Sequence, residues 1–165
     1  VAVMNDGRIE QFDTPNNIFY RPNNMFVGQF IGQHGMNVVD AEVVGTDSDV
    51  SVAIDEYHPD LRLENPENLS PEPVKLGFRP ENTILEEEGA EGIPGVVELI
   101  ETFGEEAVVT LDIDRPEPLF AVINSNRDLN EGANVRAQVD QNAHVFDWDT
   151  GDTLTHTKRR RKQPA

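Results

Sequence analysis

The sequence predicts an α+β chain that is mainly β, in which a hairpin and two short helices precede a small barrel or sandwich. Two observations carry this prediction. Before residue 37 a strand pair is followed by apolar residues at helical spacing, whereas from Asn37 onward they alternate with the period of a strand. Glycine and proline interrupt the second part at short intervals, as they do between the strands of small all-β folds.

The hairpin is predicted at the start of the chain. Val1–Met4 and Arg8–Phe12 flank the tripeptide Asn5-Asp6-Gly7. An Asp-Gly pair between apolar runs favours a type I′ turn, in which both central residues have a positive φ. We therefore expect Gly7 at a positive-φ position. Val1–Met4 has the composition of a strand interior, which indicates a piece of a longer protein.

Two short helices are predicted after the hairpin. Thr14 is a favourable N-cap for the first, and Pro15 fits the first helical position, where its missing N–H costs nothing. This helix is expected to end near Arg21, because a residue before proline avoids the helical region. Asn23 is the expected cap of the second helix, which ends near Gly32. One apolar face of the second helix predicts a packing partner outside the segment. The face consists of Phe26, Val27, Phe30 and Ile31.

Eight short strands are predicted next, separated by turns that contain glycine or proline. Residues 55–73 and 86–95 are acidic and carry proline or glycine, so we expect loops there. Near the last strand, Phe146 is expected in the core and Trp148 half exposed. The predicted strands are Val38–Val44, Val50–Ile54, Val74–Phe78, Val96–Ile100, Ala107–Ile113, Leu119–Ile123, Val135–Val139 and His144–Phe146.

Charge is the strongest compositional signal. The formal net charge is −18, and residues 1–157 hold 8 basic against 31 acidic residues, a net charge of −23. Lys75 is the only lysine among them. Such self-repulsion destabilises a fold in dilute buffer, whereas molar salt shortens the Debye length to about 3 Å and screens the charges. The composition therefore predicts a protein of an extreme halophile. It also argues against nucleic-acid binding, because the acidic residues repel phosphates.

Several kinds of site are excluded by the sequence. The chain has no cysteine, hence no disulfide and no thiolate site. It has no Gly-x-x-x-x-Gly-Lys-Ser/Thr phosphate loop, so we expect no ATP hydrolysis by these residues alone and predict no catalytic or cofactor-binding residue. The histidines fall in unrelated segments without ligand spacing, so no metal site is predicted. They are His34, His58, His144 and His156.

Four sequence blocks follow one another in an informative order. They are Met4–Gln11, Phe26–Gly32, Met36-Asn37 and Gly77-Phe78-Arg79-Pro80-Glu81. Together they resemble the C-terminal part of the ATP-binding subunit of a sugar-type ABC importer, similar to the maltose-importer ATPase family. The resemblance implies the truncated end of an ATPase domain over residues 1–36 and an OB-like β-barrel, called a TOBE domain, over residues 37–157. Residues 158–165 hold five clustered basic residues and are expected to be a disordered tail.

The resemblance also implies a function for the parent subunit. That subunit would bind ATP and Mg and hydrolyse the ATP in the cytoplasm, peripherally on the inner face of the cell membrane. It would pair with a second copy of itself and with membrane-spanning permease subunits to import a carbohydrate or glycerol phosphate. The present chain would contribute regulation and dimer contact, without a catalytic, cofactor or metal site of its own.

The block Phe78, Arg79, Pro80 and Glu81 is the candidate regulatory or interface site, because in the resembled family it belongs to the regulatory domain. A structural explanation stays open beside it, in which Pro80 stiffens the exit of a strand while Arg79 and Glu81 pair locally. An alternative function of another class is a barrel that binds a small oxyanion, since related barrels bind molybdate.

Overall fold

The structure is a computed structural model and describes residues 1–159. The chain begins with an antiparallel hairpin, in which β1 (Ala2–Asn5) pairs with β2 (Arg8–Phe12). Asp6 and Gly7 connect the two strands with φ angles of 46° and 77°. Both angles are positive, as a type I′ turn requires, so the predicted turn is confirmed.

Two short helices follow, α1 (Pro15–Tyr20) and α2 (Met25–Phe30). The Thr14 hydroxyl caps α1 as predicted and accepts a hydrogen bond from the N–H of Asn17 at 3.2 Å. The cap of α2 is Asn24 instead of the predicted Asn23, and its side-chain oxygen accepts from the N–H of Val27 at 2.9 Å. The N–H of Asn23 donates to a glutamine side chain of β2, which keeps this residue outside the helix.

Ten strands make up about half of the remaining described chain. They are β3 (Asn37–Val44), β4 (Ser51–Ala53), β5 (Pro73–Phe78), β6 (Thr83–Glu87), β7 (Ile93–Phe103), β8 (Glu106–Asp112), β9 (Leu119–Asn124), β10 (Asn134–Val139), β11 (His144–Asp147) and β12 (Thr153–His156). They form two five-stranded antiparallel sheets with the orders β6-β10-β7-β8-β9 and β12-β11-β5-β3-β4. The mainly β, OB-like architecture is therefore confirmed.

The prediction of a loop over residues 86–95 holds for residues 88–92 and is wrong at both ends. Glu86 and Glu87 end β6, and β7 already begins at Ile93. On β6 the buried residues Thr83 and Leu85 alternate with the exposed residues Ile84 and Glu86, but the two glutamates at its end have the composition of a loop and conceal the strand period. Strand β12 was not predicted either, because its four residues are short of apolar side chains. The predicted loop over residues 55–73 is confirmed up to residue 72, holds a 3-10 turn at Pro66–Asn68 and ends where β5 begins at Pro73.

Both sheets turn one face toward a shared apolar core. Leu76 of β5 and Leu111 of β8 are fully buried there. Burying one such side chain stabilises the fold by about 1.5–3 kcal/mol. Phe146 is fully buried and Trp148 is 43% exposed, as predicted. The hairpin and helices have a separate and much smaller core, so they depend on contacts with the sheets. Its buried members are Val3, Ile18 and Val27.

The chain end is described only as far as Arg159. The N–H of Lys158 donates to the backbone carbonyl of Arg62 at 2.6 Å. The predicted disordered tail falls mainly on residues 160–165, which lie outside the described residues. Within residues 1–159, neither helix has the length and apolar character that a bilayer span requires.

Candidate functional site: a junction of helices and barrel

Arg79 lies between the two helices and the second sheet, and it is only 2% exposed. Its Nη1 donates to the carbonyl of Ile31 at 2.6 Å and to that of Gly28 at 3.4 Å. Its Nη2 donates to the carbonyl of Phe19 at 3.0 Å. The guanidinium carbon also lies 3.8 Å from the centre of the Phe19 ring. One side chain of the barrel therefore binds backbone from both helices.

The three carbonyls that Arg79 binds belong to the C-terminal turns of α1 and α2. Carbonyls at this end of a helix have no partner within the helix and carry partial negative charge. A planar, permanently charged guanidinium satisfies several of them at once. Burial lowers the pKa of Arg79, but from an ordinary value so high that the side chain stays protonated. Arg79 thus acts as a common C-terminal cap for two helices.

Glycine makes this close approach possible at two positions. A Cβ on Gly32 would lie 2.7 Å from Nη1 of Arg79, and Gly32 has a φ of 113° that other residues rarely adopt. A Cβ on Gly77 would lie 2.6 Å from the sulfur of Met36 and 2.5 Å from the ring of Phe146. The separate sequence blocks around residues 28–37 and 77–79 therefore meet at one place, which we call the junction.

Asn37 extends the junction to the first sheet. It starts β3 and is only 4% exposed. Its side-chain N–H₂ donates to the carbonyl of Phe120 at 2.8 Å, while its side-chain oxygen accepts from the N–H of Phe120 at 2.9 Å. The same N–H₂ lies 3.3 Å from the hydroxyl of Thr83. The side-chain amide of Asn37 therefore makes the same pair of hydrogen bonds with β9 that the backbone of a neighbouring strand would make. These bonds join the two sheets.

A second set of polar contacts ties the helical segment to β12 and its loops. The Thr153 hydroxyl donates to the carbonyl of Pro22 at 2.6 Å, and its N–H donates to the carbonyl of Asn23 at 3.0 Å. Arg21 binds both carboxylate oxygens of Glu64 at 2.9 Å. This ion pair lowers the pKa of Glu64. The helices are thus attached at two places, through Arg79 and through the region of Thr153.

His144 and His156 form a pair beside the junction. They face each other in the register of β11 and β12, with their Nδ1 atoms 2.7 Å apart. Burial, with smaller contributions from His156, Arg79 and Arg21, lowers the pKa of His144 to about 3. Burial, with a smaller contribution from Arg21, lowers the pKa of His156 to about 4, although Glu64 acts to raise it. Both rings are neutral at pH 7, so one donates and the other accepts.

The structure places the four predicted site residues differently from one another. Phe78, Arg79 and Pro80 are buried within the chain, and only Glu81 is exposed. The prediction that Arg79 pairs locally with Glu81 is wrong, because all the hydrogen bonds that the described Arg79 side chain makes go to carbonyls of the two helices. The histidines were expected in unrelated segments, yet His144 and His156 meet. No cluster of three or more His, Asp or Glu residues able to hold a metal occurs within residues 1–159.

Comparison with known proteins adds a family to this geometry. Residues 76–146, which include all of the block from Gly77 to Glu81, match the family model described as TOBE domain. A solved structure of the cytoplasmic molybdate-binding protein ModG, with molybdate bound, superposes with a TM-score of 0.50 at 15% sequence identity. The match covers 74% of this chain and 96% of that one, and it shows the fold alone.

Curated relatives match more of the chain. The sn-glycerol-3-phosphate import ATP-binding protein UgpC 2 of Rhizobium johnstonii is 33% identical over 155 residues, which cover 92% of this chain and 40% of the relative. The alpha-glucoside transport ATP-binding protein AglK of Rhizobium meliloti is 29% identical over 151 residues, which cover 89% of this chain and 41% of the relative. The chain spans about two fifths of the length of these relatives. It therefore contains a TOBE domain and is related, over about nine tenths of its length, to the ATP-binding subunits of ABC transporters for sugars and glycerol phosphate.

Proposed function

We propose that this chain is the C-terminal region of the ATP-binding subunit of an ABC importer for a carbohydrate or glycerol phosphate. In this proposal residues 1–36 end an ATPase domain, residues 37–157 form a regulatory barrel that also supports dimerisation, and residues 158–165 are a basic tail. The relatives' names and their greater length support the proposal. So does the TOBE match within the barrel.

The observation that carries the regulatory part is the junction at Arg79. A regulatory domain influences an ATPase domain only if displacement of one is transmitted to the other. Arg79 binds carbonyls of α1 and α2 from within the barrel, so the helices cannot move away without breaking charge-assisted hydrogen bonds. We infer that the helices and barrel move as one body and that Arg79 is a positioning residue for this coupling.

The activity belongs to the parent subunit in this proposal. Residues upstream of Val1 would supply the phosphate-binding loop that residues 1–165 lack, together with the sites for ATP and Mg. The subunit would work as a pair with membrane-spanning permease subunits, on the cytoplasmic side of the cell membrane. The chain alone is expected to release no phosphate from ATP above background in molar potassium chloride.

The test uses the full-length subunit, with its upstream residues restored. Sedimentation velocity in molar salt should show a dimer that weakens when residues 37–157 are deleted. In complexes reconstituted with the permease, Arg79→Lys should reduce transport-coupled ATP hydrolysis, whereas Arg127→Lys should not. Arg127 is the matched control, since it is exposed and donates to a single barrel carbonyl, that of Leu85. Equal dimerisation with and without the barrel would rule out the dimerisation role.

An oxyanion-binding barrel is the second candidate function. It is supported only by the fold shared with a molybdate-binding protein, and the net charge of −22 over residues 37–157 opposes it. Equilibrium dialysis of the chain against molybdate distinguishes the two. Saturable binding of molybdate would favour the oxyanion-binding function, whereas no saturable binding would favour the regulatory function.

A further inference from the structure

An open cleft lies on the outward face of the second sheet. Its floor is formed by β3, β4 and β5, and the loop that connects β8 to β9 forms one wall. Two adjoining lobes share Asp40 and Arg115 and have volumes of about 400 Å³ and 580 Å³. Protein sites for small ligands have volumes of roughly 300–1,000 Å³. The cleft is therefore large enough for a ligand of the size of one or two sugar rings.

Two of the few basic residues of this acidic chain, Lys75 and Arg115, line the cleft. Lys75 of β5 pairs with the Asp40 carboxylate on the neighbouring strand β3. Arg115 of the β8–β9 loop pairs with the Asp55 carboxylate at 2.6 Å and donates to the backbone carbonyl of Asp40 at 3.3 Å. The loop is thus fastened across the sheet, and this arrangement gives the cleft a fixed wall.

These two ion pairs decide what kind of ligand fits. The four charges of these two pairs already have partners of opposite sign, so an anion finds no free counter-charge among them. Glu42 and Glu117 also line the cleft, and their negative charge repels anions further. Each carboxylate still has acceptor capacity, and the ammonium and guanidinium groups still have N–H donors. The carboxylates of Asp40 and Asp55 keep 59% and 79% of their side-chain surface exposed. Neighbouring donors and acceptors of this kind suit hydroxyl groups, which donate and accept at once.

The chain's only tryptophan lines the larger lobe. Trp148 is 43% exposed, and the ammonium of Lys75 lies 3.9 Å from the centre of its indole ring. An exposed indole is a flat apolar surface beside a polar rim. A saturated ring that carries hydroxyl groups at its edge and C–H groups on its faces has the complementary shape. The smaller lobe reaches Gln29 on α2, so an occupant would also contact the helical segment.

We propose that this cleft binds a neutral, polyhydroxylated ligand of sugar or sugar-alcohol size. The indole of Trp148 stacks on the ligand's C–H face. The groups of Asp40, Asp55, Lys75 and Arg115 bind its hydroxyls. This binding site goes beyond the proposed role in an importer and does not depend on it, because the ligand contacts only residues of the chain described above.

The experiment follows the emission of Trp148 in the complete 165-residue chain in molar potassium chloride. Separate titrations use D-glucose, D-xylose, maltose and glycerol, and two further arms use sodium molybdate and glycine betaine. Calorimetry repeats each titration that gives a signal. At least one of the polyhydroxylated probes is expected to change the emission saturably, whereas molybdate and glycine betaine are not.

Matched variants locate the binding. Arg115→Gln and Asp55→Asn should each weaken binding about fivefold or more, as loss of a hydrogen bond to a charged group does. Trp148→Phe, measured by calorimetry, should weaken it similarly. Arg136→Gln is the control, because Arg136 lies on β10 of the other sheet. Circular dichroism checks that all variants fold.

Every outcome decides the proposal. Saturable binding of a sugar or polyol that is weakened by the cleft variants and not by the control supports it. No saturable change with any hydroxylated probe up to 100 mM overturns it. Sugar binding that Arg115→Gln and Trp148→Phe leave unchanged overturns the location. Binding of molybdate or betaine alone overturns the ligand class, and none of these results bears on the importer role.

Discussion

The N-terminal segment and the barrel have opposite surface chemistry. Residues 1–36 carry three acidic and two basic residues, a net charge of −1. Residues 37–157 carry 28 acidic and 6 basic residues, a net charge of −22. The short segment nevertheless supplies half of the large apolar side chains that residues 1–159 leave exposed. These are Val1, Met4, Ile9, Phe12, Tyr20 and Phe30.

This difference shows which surface is made for contact and which for solvent. An acidic surface stays hydrated in concentrated salt, whereas an exposed apolar patch marks an interaction site. The predicted apolar face of α2 divides accordingly. Val27 packs inward, while Phe30 is 63% exposed and stacks on Phe26 with ring centres 5.6 Å apart. We infer that the nearly neutral segment is a contact surface, which fits the proposed end of a larger domain, whereas the strongly acidic barrel is mostly hydrated.

Of the changes considered, the salt concentration should have the largest effect on stability, and it should act mainly through the charge of the barrel. Because nearly all the net charge lies there, raising the salt from about 0.1 M to about 1 M shortens the Debye length from about 10 Å to about 3 Å and removes most of the repulsion. We expect the melting temperature to rise steeply over this range, with little folded protein at the low end. Far-UV circular dichroism measures it. A melting temperature indifferent to ionic strength would contradict the halophile prediction.

Removing the Arg79 side chain should detach the segment from the barrel. Arg79→Ala loses three charge-assisted contacts and leaves buried helix carbonyls without partners. We expect the free energy of unfolding to fall by about 3 kcal/mol or more, as for other broken buried networks. Denaturant titration in molar salt measures the loss. The control Arg127→Ala, at an exposed arginine, should cost about 0.5–1 kcal/mol.

Acid should weaken the barrel beside the junction. The pKa values of His144 and His156 in the folded state, about 3 and about 4, lie below the ordinary value of 6.5. The stabilisation that the neutral histidine pair gives the fold is therefore present above about pH 6.5, and it is lost progressively as the pH falls toward the two folded-state pKa values of about 4 and about 3. We expect the melting temperature at pH 5 to be roughly 5 °C lower than at pH 7.

Proton NMR of the imidazoles checks that this loss comes from the histidine pair. The ring protons of His144 and His156 should keep their neutral shifts down to pH 5 in the folded chain. In urea they should titrate near pH 6.5. A folded-state titration of both rings near neutral pH would contradict the buried, neutral pair.

The hairpin turn should give the smallest effect. Gly7 has a φ of 77°, and a Cβ at this position would meet no atom within 4 Å. The cost of Gly7→Val is therefore conformational, about 1 kcal/mol or more, because a β-branched residue resists a positive φ. Thermal melting measures it, and Gly7→Asn, which tolerates this region, is the control. Equal melting temperatures for the valine variant and the parent chain would argue against the turn.

Local signals in the sequence sufficed for the hairpin, the first helix and eight of the strands. The Asp-Gly turn and the Thr14 cap depend on neighbours within a few residues, and alternation depends on one strand at a time. Strand β7 was predicted too short at both ends, because Pro94 and Gly95 near its start have the composition of a turn and its residues after Ile100 are exposed. In so acidic a chain, an outward strand face has the composition of a loop.

The junction could not be predicted, because its contacts are distant in sequence. Arg79 binds carbonyls 48 to 60 residues away, and arginine is rarely buried, so a surface pair with Glu81 was the simpler hypothesis. The Gly-x-Arg-Pro-Glu block did mark the right place. The missed signal was the pair of glycines, Gly32 and Gly77, that leave room for the Arg79 and Met36 side chains.

Hydrogen–deuterium exchange of the intact chain tests the clamp at Arg79 most directly. In Arg79→Lys, we expect the helix amides of Ile18, Gly28 and Ile31, hydrogen-bonded within α1 and α2, to exchange about tenfold faster or more. The amide of Val109 in β8 should keep its protection. Unchanged protection of the helices, or an equal loss in β8, would contradict the conclusion that Arg79 fastens the helices to the barrel.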